Sequence, residues 1–201
     1  MSNTSPNNVQ DQSRRRLTDL AYCAVFAALI IALGFLVIPV GSAGIPIVLQ
    51  NAAIIGAGLV LGPRRGFWTI VIFFALGLVL PVLAGGRTVL AALAGPSIGY
   101  LVGYFVSAVV AGAIAYTAPQ GRDKAVQRVI IVIVAAFAGL LFQYVLGAIG
   151  LMFRADMNVG AAAAAQLPFI LPDSGKLVVM IIVALAVHAA FPALRQPAAR
   201  A

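Results

Sequence analysis

Leu167-Pro168-Phe169-Ile170-Leu171-Pro172-Asp173-Ser174-Gly175-Lys176 runs directly into Leu177 to Ala190, a stretch that is apolar except for His188. About 20 apolar residues cross the hydrocarbon of a bilayer at 1.5 Å per residue. Residues 173–191 therefore read as a membrane-spanning helix with an acid and a base at its start. An ionisable side chain left in lipid costs roughly 2.5 to 3.5 kcal/mol on insertion scales, so such residues face a cavity or a partner. The chain holds only five acidic residues, all of them Asp, which makes Asp173 and Lys176 the first candidates for function. The purely structural alternative is that Asp173 or Ser174 caps the helix N-terminus. Lys176 resists that reading, because a cation in a first turn opposes the helix dipole.

The remainder of the chain has the same character. It is 63% hydrophobic and 9% charged, with a mean hydropathy of +1.08, whereas a soluble domain carries about 25% charged residues. The 13 Lys and Arg are scattered in ones to threes between apolar runs, without the basic, aromatic-interleaved face of a nucleic-acid binder. Met1 to Ser13 is polar and the first apolar run is long enough to span, so no cleavable signal peptide is expected. Cys23 is the single cysteine, which excludes an intrachain disulfide and a CxxC site; it reads as packing.

Six spans are expected, at 17–38, 45–61, 67–83, 96–117, 129–150 and 173–191, giving an all-α membrane protein. Gly and Pro mark the separators, including Pro39 with Gly41 and Gly44, Gly62-Pro63-Arg64-Arg65-Gly66 and Gly85-Gly86-Arg87. Residues 1–15 read as a polar, disordered tail, 16–192 as one six-helix domain and 193–201 as a short tail. With the N-terminus inside, Arg14, Arg15, Arg16, Arg64, Arg65, Arg122, Lys124, Arg128, Arg195 and Arg200 are cytoplasmic; only Arg87, Arg154 and Lys176 lie outside. That bias places both termini in the cytoplasm. The connection 151–172 contains five consecutive alanines and reads as a short helix at the outer surface, either a connector or a cap over a cavity.

Gln50 and Asn51 open the second span, Tyr100 and Tyr104 the fourth, and Gln143 with Tyr144 lies towards the outer end of the fifth. Buried amides and phenols need hydrogen-bond partners, and interhelical bonds would serve for any one of them. Their common depth with Asp173 and Lys176 favours a cavity. Small residues at four-residue spacing allow close helix approach. Gly95, Gly99 and Gly103 read as intramolecular packing; Ala24, Ala28 and Ala32 on the first helix serve either packing or a partner.

The chemistry of an enzyme is missing. His188 is the lone histidine, far from the outer polar residues, so HExxH, Ser-His and Cys-His arrangements all fail. A phosphate-binding GxxxxGK[ST] loop is also absent, so any ATP would be used by a partner. What remains is an outer-facing receptor with a carboxylate acceptor, cations at Lys176 and Arg87, neutral donors and apolar walls.

Five motifs in order carry a family resemblance. They are Ile45-Pro46-Ile47-Val48-Leu49-Gln50, Leu61-Gly62-Pro63-Arg64-Arg65-Gly66, the run Leu76 to Gly86 with Leu80-Pro81-Val82-Leu83-Ala84-Gly85-Gly86, Gly95-Pro96-Ser97-Ile98-Gly99-Tyr100, and Pro168 to Lys176. Together they resemble the BioY family, the biotin-binding S component of energy-coupling factor vitamin transporters, over nearly all of 16–192. Val48, Val79, Leu83 and Pro172 depart from the family pattern, as does Gly86, near which some members have Asn.

The resemblance implies the six-helix S-component fold, a multi-pass place in the bacterial plasma membrane, and external loops closing over biotin. It further implies that the alanine face of the first helix docks a transmembrane coupling T subunit, itself joined to two ATP-binding subunits. Biotin is then the cargo; no metal and no cofactor is expected. Asp173 is assigned to the ureido N–H groups and Lys176 to a ligand oxygen, with Arg87 as the second choice of cation. Tyr100, Gln50, Gln143 and Tyr144 supply hydrogen bonds or ring contacts, and backbone N–H groups around Gly86, or a neighbouring residue, replace the missing Asn. The alternatives are an S component for another vitamin, a ligand-free assembly subunit whose Asp173 and Lys176 merely pair, and, least favoured, an intramembrane enzyme.

Overall fold

The computed structural model describes residues 6–38, 47–121 and 123–195. Pro39, Gly41, Gly44, Ile45, Pro46, Arg122 and Arg200 lie outside the described residues.

The chain forms helices α1 (Pro6–Gly34), α2 (Gln50–Gly77), α3 (Val89–Ala94), α4 (Ile98–Ala115), α5 (Ala125–Arg154), α6 (Val159–Ala164) and α7 (Leu167–Ala190), then a 3₁₀ turn at Pro192–Arg195. Two short strands, β1 (Val37–Ile38) and β2 (Ile47–Val48), pair antiparallel, Val37 opposite Val48. Five segments are long and apolar enough to cross a membrane when α2 is counted once.

Counting α2 once conceals a reversal. Gly62 leaves the helical region at φ 83°, and Pro63 follows without an N–H to continue the ladder. A Cβ on Gly66 would lie 3.1 Å from the Cα of Gly58, so the two limbs fold back on each other. The Gln50 side chain accordingly bonds the carbonyl of Val82, just beyond the other end of the helix, at 2.7 Å. The limbs are the second and third of the six spans expected from sequence, joined without a loop.

The first limb is the axis of the bundle. Every residue from Ala52 to Gly62 is buried, as expected for a helix apolar on all sides. Ile54 and Ala57 pack with Ala27 and Ile30 of α1 and with Ile70 and Phe73 of the second limb. Ile55 and Leu59 pack with Ala111, Val132, Leu177 and Ile181 of α4, α5 and α7. Close approach of α4 depends on glycine: a Cβ on Gly112 would sit 2.6 Å from the backbone of Gly62, and one on Gly99 2.8 Å from the Cα of Gly150. Gly99 and Gly103 therefore serve intramolecular packing, while Gly95 precedes α4 and meets only its own α3.

Several boundaries differ from expectation. Helix α1 begins at Pro6 and takes in residues 6–15, which composition marked as a disordered tail; proline suits a first helical turn because its missing N–H has no partner there in any case. The turn Pro192–Arg195 belongs to the fold, with Arg195 buried and bonded to the carbonyl of Ala118. Helix α7 starts at Leu167 rather than Asp173, since Pro168 is tolerated in its first turn. Asp173 is thus inside the helix, and the residue preceding α7 is Gln166, which makes no side-chain cap. The capping role weighed for Asp173 falls, as does the placement of Lys176 in a first turn.

Cations divide between the two ends of the bundle. Arg65 pairs with Asp19 at 2.7 Å and donates to the carbonyl of Leu194, and Tyr116 donates to Val60 O at 2.8 Å, as His188 Nε2 does at 3.1 Å. Cys23 is buried, its thiol against the carbonyl of Arg65. At the opposite end Arg87 reaches Ser97, and Lys176 joins the polar group described next.

Candidate ligand-binding site

A cavity of about 290 Å³ opens at the end of the bundle away from Arg65. Its walls come from five places: the start of α2, the turn 83–87, the first two turns of α4, the outer part of α5, and the segment from Gln166 into α7. Seven of the eight residues singled out from sequence line it: Asp173, Lys176, Tyr100, Arg87, Gln50, Gln143 and Tyr144. Gly86 is outside the lining. It serves the turn instead, at φ 70° beside Gly85 at φ 75°, where Leu83 N–H bonds Arg87 O at 3.0 Å and Gly86 N–H bonds Leu83 O at 3.0 Å.

Asp173 and Lys176 form an ion pair on one face of α7, with side chains only 5% and 9% exposed. Burial of charge is tolerated when the remaining lone pairs and protons are also bonded, and here nearly all of them are. Lys176 Nζ donates to Asp173 Oδ1, to Val48 O at 2.7 Å and to Asn51 Oδ1 at 2.9 Å. Asp173 Oδ2 accepts from Asn51 Nδ2 at 2.9 Å and from the Tyr144 hydroxyl at 2.8 Å. An ammonium has three donors, so Lys176 is saturated by protein.

The two glutamines hold the framework. Gln50, 1% exposed, donates to Ile30 O and Val82 O and accepts from Ala84 N–H, tying α1 and the 78–88 turn to α2. Gln143 Nε2 bridges Asn51 O at 3.2 Å and Ser107 Oγ at 3.0 Å. Arg87, by contrast, is exposed at the cavity mouth with, among the described residues, one long contact, 3.4 Å to Ser97 Oγ.

Gln166, Asn51, Tyr104, Ser97 and Phe169 also line the cavity and were not among the sequence-selected site residues. Helix α6, capped by Asn158, delivers Gln166, which accepts the Tyr100 hydroxyl at 2.7 Å. The Tyr100 ring lies on Gly147, where a Cβ would come within 2.5 Å of ring carbon Cζ. Sequence carried a signal for Asn51 and Tyr104, polar residues at the depth of the others; a polar residue closing the alanine run was the signal for Gln166. Ser97 and Phe169 had none.

A family model described as the BioY family matches residues 4–193. The chain belongs to the BioY family. A protein from Rhizobium etli named biotin transporter BioY is 36% identical over 179 residues, 88% of this chain and 96% of that protein. Another of the same name from Rhodobacter capsulatus is 37% identical, over 80% of this chain and 87% of its own length. A crystal structure of the S-component for biotin from an ECF-type ABC transporter superposes with a TM-score of 0.74 at 30% identity, covering 94% of this chain and 95% of that one. The likeness thus extends over nearly the whole length of both chains.

Proposed function

We propose that the chain captures biotin at the outer face of a bacterial plasma membrane and delivers it inward with an ATP-driven coupling module. The observation that carries this reading is the cavity: a buried, hydrogen-bonded acid–base pair at its closed end, an unsaturated cation at its mouth and aromatic walls between, in a chain whose relatives are named biotin transporters. About 290 Å³ lies at the small end of the range for small-molecule sites, which suits a compact bicyclic acid.

Donor counting orients the ligand. Because all three Lys176 donors are engaged, the cavity cation left with open donors among the described residues is Arg87, and the biotin carboxylate belongs there, where a guanidinium has five N–H donors in a fork. The ureido ring then meets Asp173 and its neighbours. Gln50 and Gln143 act by holding the wall, and Tyr100 and Tyr144 supply ring surface and hydroxyls. In this orientation Lys176 acts as the counter-charge of Asp173 at the closed end of the cavity.

Both termini are assigned to the cytoplasm from the ten-to-three distribution of cations, which puts the cavity outside. Ala24, Ala28 and Ala32 are all exposed along α1, whereas Ala27 and Ile30 on its other face are buried. That smooth face is the docking ridge for the transmembrane coupling T subunit and, through it, two ATP-binding subunits. The decisive test is equilibrium binding of labelled biotin to purified protein in detergent, with other water-soluble vitamins as competitors. Saturable binding displaced by biotin alone supports the reading; displacement by a different vitamin reassigns the cargo, and no binding of any vitamin removes it.

A further inference from the structure

We infer that Asn51 determines specificity at the closed end of the cavity, by locking the Asp173–Lys176 pair in place and by offering one N–H to a ligand carbonyl. The inference rests on the biotin-binding reading above and goes beyond it in assigning the discriminating residue.

The side-chain amide of Asn51 bridges the two charges: its oxygen accepts from Lys176 at 2.9 Å and its nitrogen donates to Asp173 Oδ2 at 2.9 Å. A primary amide has two orientations that place oxygen and nitrogen in exchanged positions. Only the observed one is compatible with its neighbours, since an ammonium only donates and a carboxylate only accepts. The exchanged orientation would set N–H against ammonium and oxygen against carboxylate. The charges therefore fix the amide, and the planar amide fixes the spacing of the charges. The backbone of Asn51 is held in turn, its carbonyl accepting from Gln143.

Counting what these three residues leave unused gives the ligand class. Lys176 has no donor remaining, and both lone pairs of Asp173 Oδ2 are occupied. Among the described residues there remain one acceptor position on Asp173 Oδ1 and the second hydrogen of Asn51 Nδ2. One acceptor beside one donor complements an N–H adjacent to a C=O, which is the edge of a cyclic urea or lactam. It does not complement a guanidine, which offers donors alone when protonated.

The test compares biotin with 2-iminobiotin, in which the ureido carbonyl is replaced by C=NH, at a pH where its guanidine is protonated. The unaltered protein should prefer biotin. Asn51→Asp replaces the donor with a carboxylate and should move the preference towards 2-iminobiotin by about tenfold or more, the size of a charge-assisted bond. Asn51→Leu should weaken biotin by about two- to tenfold and narrow the preference. A merely structural Asn51 would lower both ligands equally in both variants and leave the ratio unmoved, which would overturn the inference. A second measurement needs no ligand: melting temperatures of Asn51→Leu, Lys176→Met and the double variant. The bridge requires the two losses to be non-additive; additive losses mean that Asn51 does not hold the pair. If the unaltered protein binds no biotin, the functional reading fails at that step, and the melting cycle still decides whether the bridge exists.

Discussion

The side-chain amide of Gln50 donates to the carbonyl of Val82 at 2.7 Å, although 32 residues separate them, because the helix between them reverses at Gly62. That one amide also bonds Ile30 O and Ala84 N–H, so α1, the start of α2 and the turn carrying Arg87 meet at a single side chain. Gln50→Leu removes three hydrogen bonds, two of them buried, and a buried group left without a partner costs about 1 to 3 kcal/mol. The melting temperature should fall more sharply than for any variant at the cavity mouth, with biotin affinity declining as a consequence of the looser wall.

Arg87→Gln should behave in the opposite way. The side chain is exposed and has one long contact, so stability should be unchanged. Biotin affinity should fall on the order of ten- to a hundredfold, from loss of a charge-assisted bond. Biotin methyl ester provides the check: the unaltered protein should discriminate strongly against the ester, and Arg87→Gln should not.

Asp173 and Lys176 should prove asymmetric. Asp173→Asn retains volume but presents N–H groups to a lysine and an amide that already donate; biotin binding should weaken roughly ten- to a hundredfold. Lys176→Met leaves a buried carboxylate without its counter-charge, which costs roughly 3 to 5 kcal/mol of stability. Combining the two removes both charges and should restore part of the melting temperature lost in Lys176→Met while leaving biotin binding weak. A double variant less stable than Lys176→Met would contradict the buried-pair account.

Bulk on the exposed face of α1 should separate assembly from capture. In Ala28→Trp the indole has no intramolecular neighbour to displace, so biotin binding should persist while copurification of the coupling subunits is lost. Loss of binding with assembly intact would mean that the ridge serves the protein's own packing.

For topology, a reporter fused after Arg200 should be cytoplasmic and one inserted between Ala155 and Asn158 external. An external C-terminal reporter would reverse the side on which the cavity opens.

Much of this arrangement was legible in the sequence because lipid imposes a simple rule on it. Apolar run lengths gave the six rods, and the shared depth of Gln50, Tyr100, Gln143, Tyr144 and Asp173 gave the cavity, since polar side chains in a bundle must converge or remain unpaired. What escaped depended on backbone. Pro168 and Pro172 read as the end of a connector, yet α7 runs through both, and Asp173 moved from a helix cap to a helix face. Saturation of Lys176 was equally invisible, because one of its three acceptors is the carbonyl of Val48, a strand residue 128 positions away. Residues 78–83 looked like the end of a span, but the helix stops at Gly77, and Leu80 precedes a proline that disfavours helical geometry for it.

The reversal at Gly62 also constrains how the molecule is made. Neither limb of α2 has the roughly 20 residues of a full crossing, and no linker lies between them, so they must enter the bilayer as one hairpin whose bend carries Arg64 and Arg65 at the end of the bundle opposite the cavity. Next to that bend the Val60 carbonyl accepts from Tyr116, at the end of α4, and from His188, near the end of α7. Both donors are synthesised later than the acceptor. The bend therefore lacks two of its hydrogen-bond donors until α4 and α7 have been made, so α7, the wall that bears the charge pair, also completes the opposite end of the bundle.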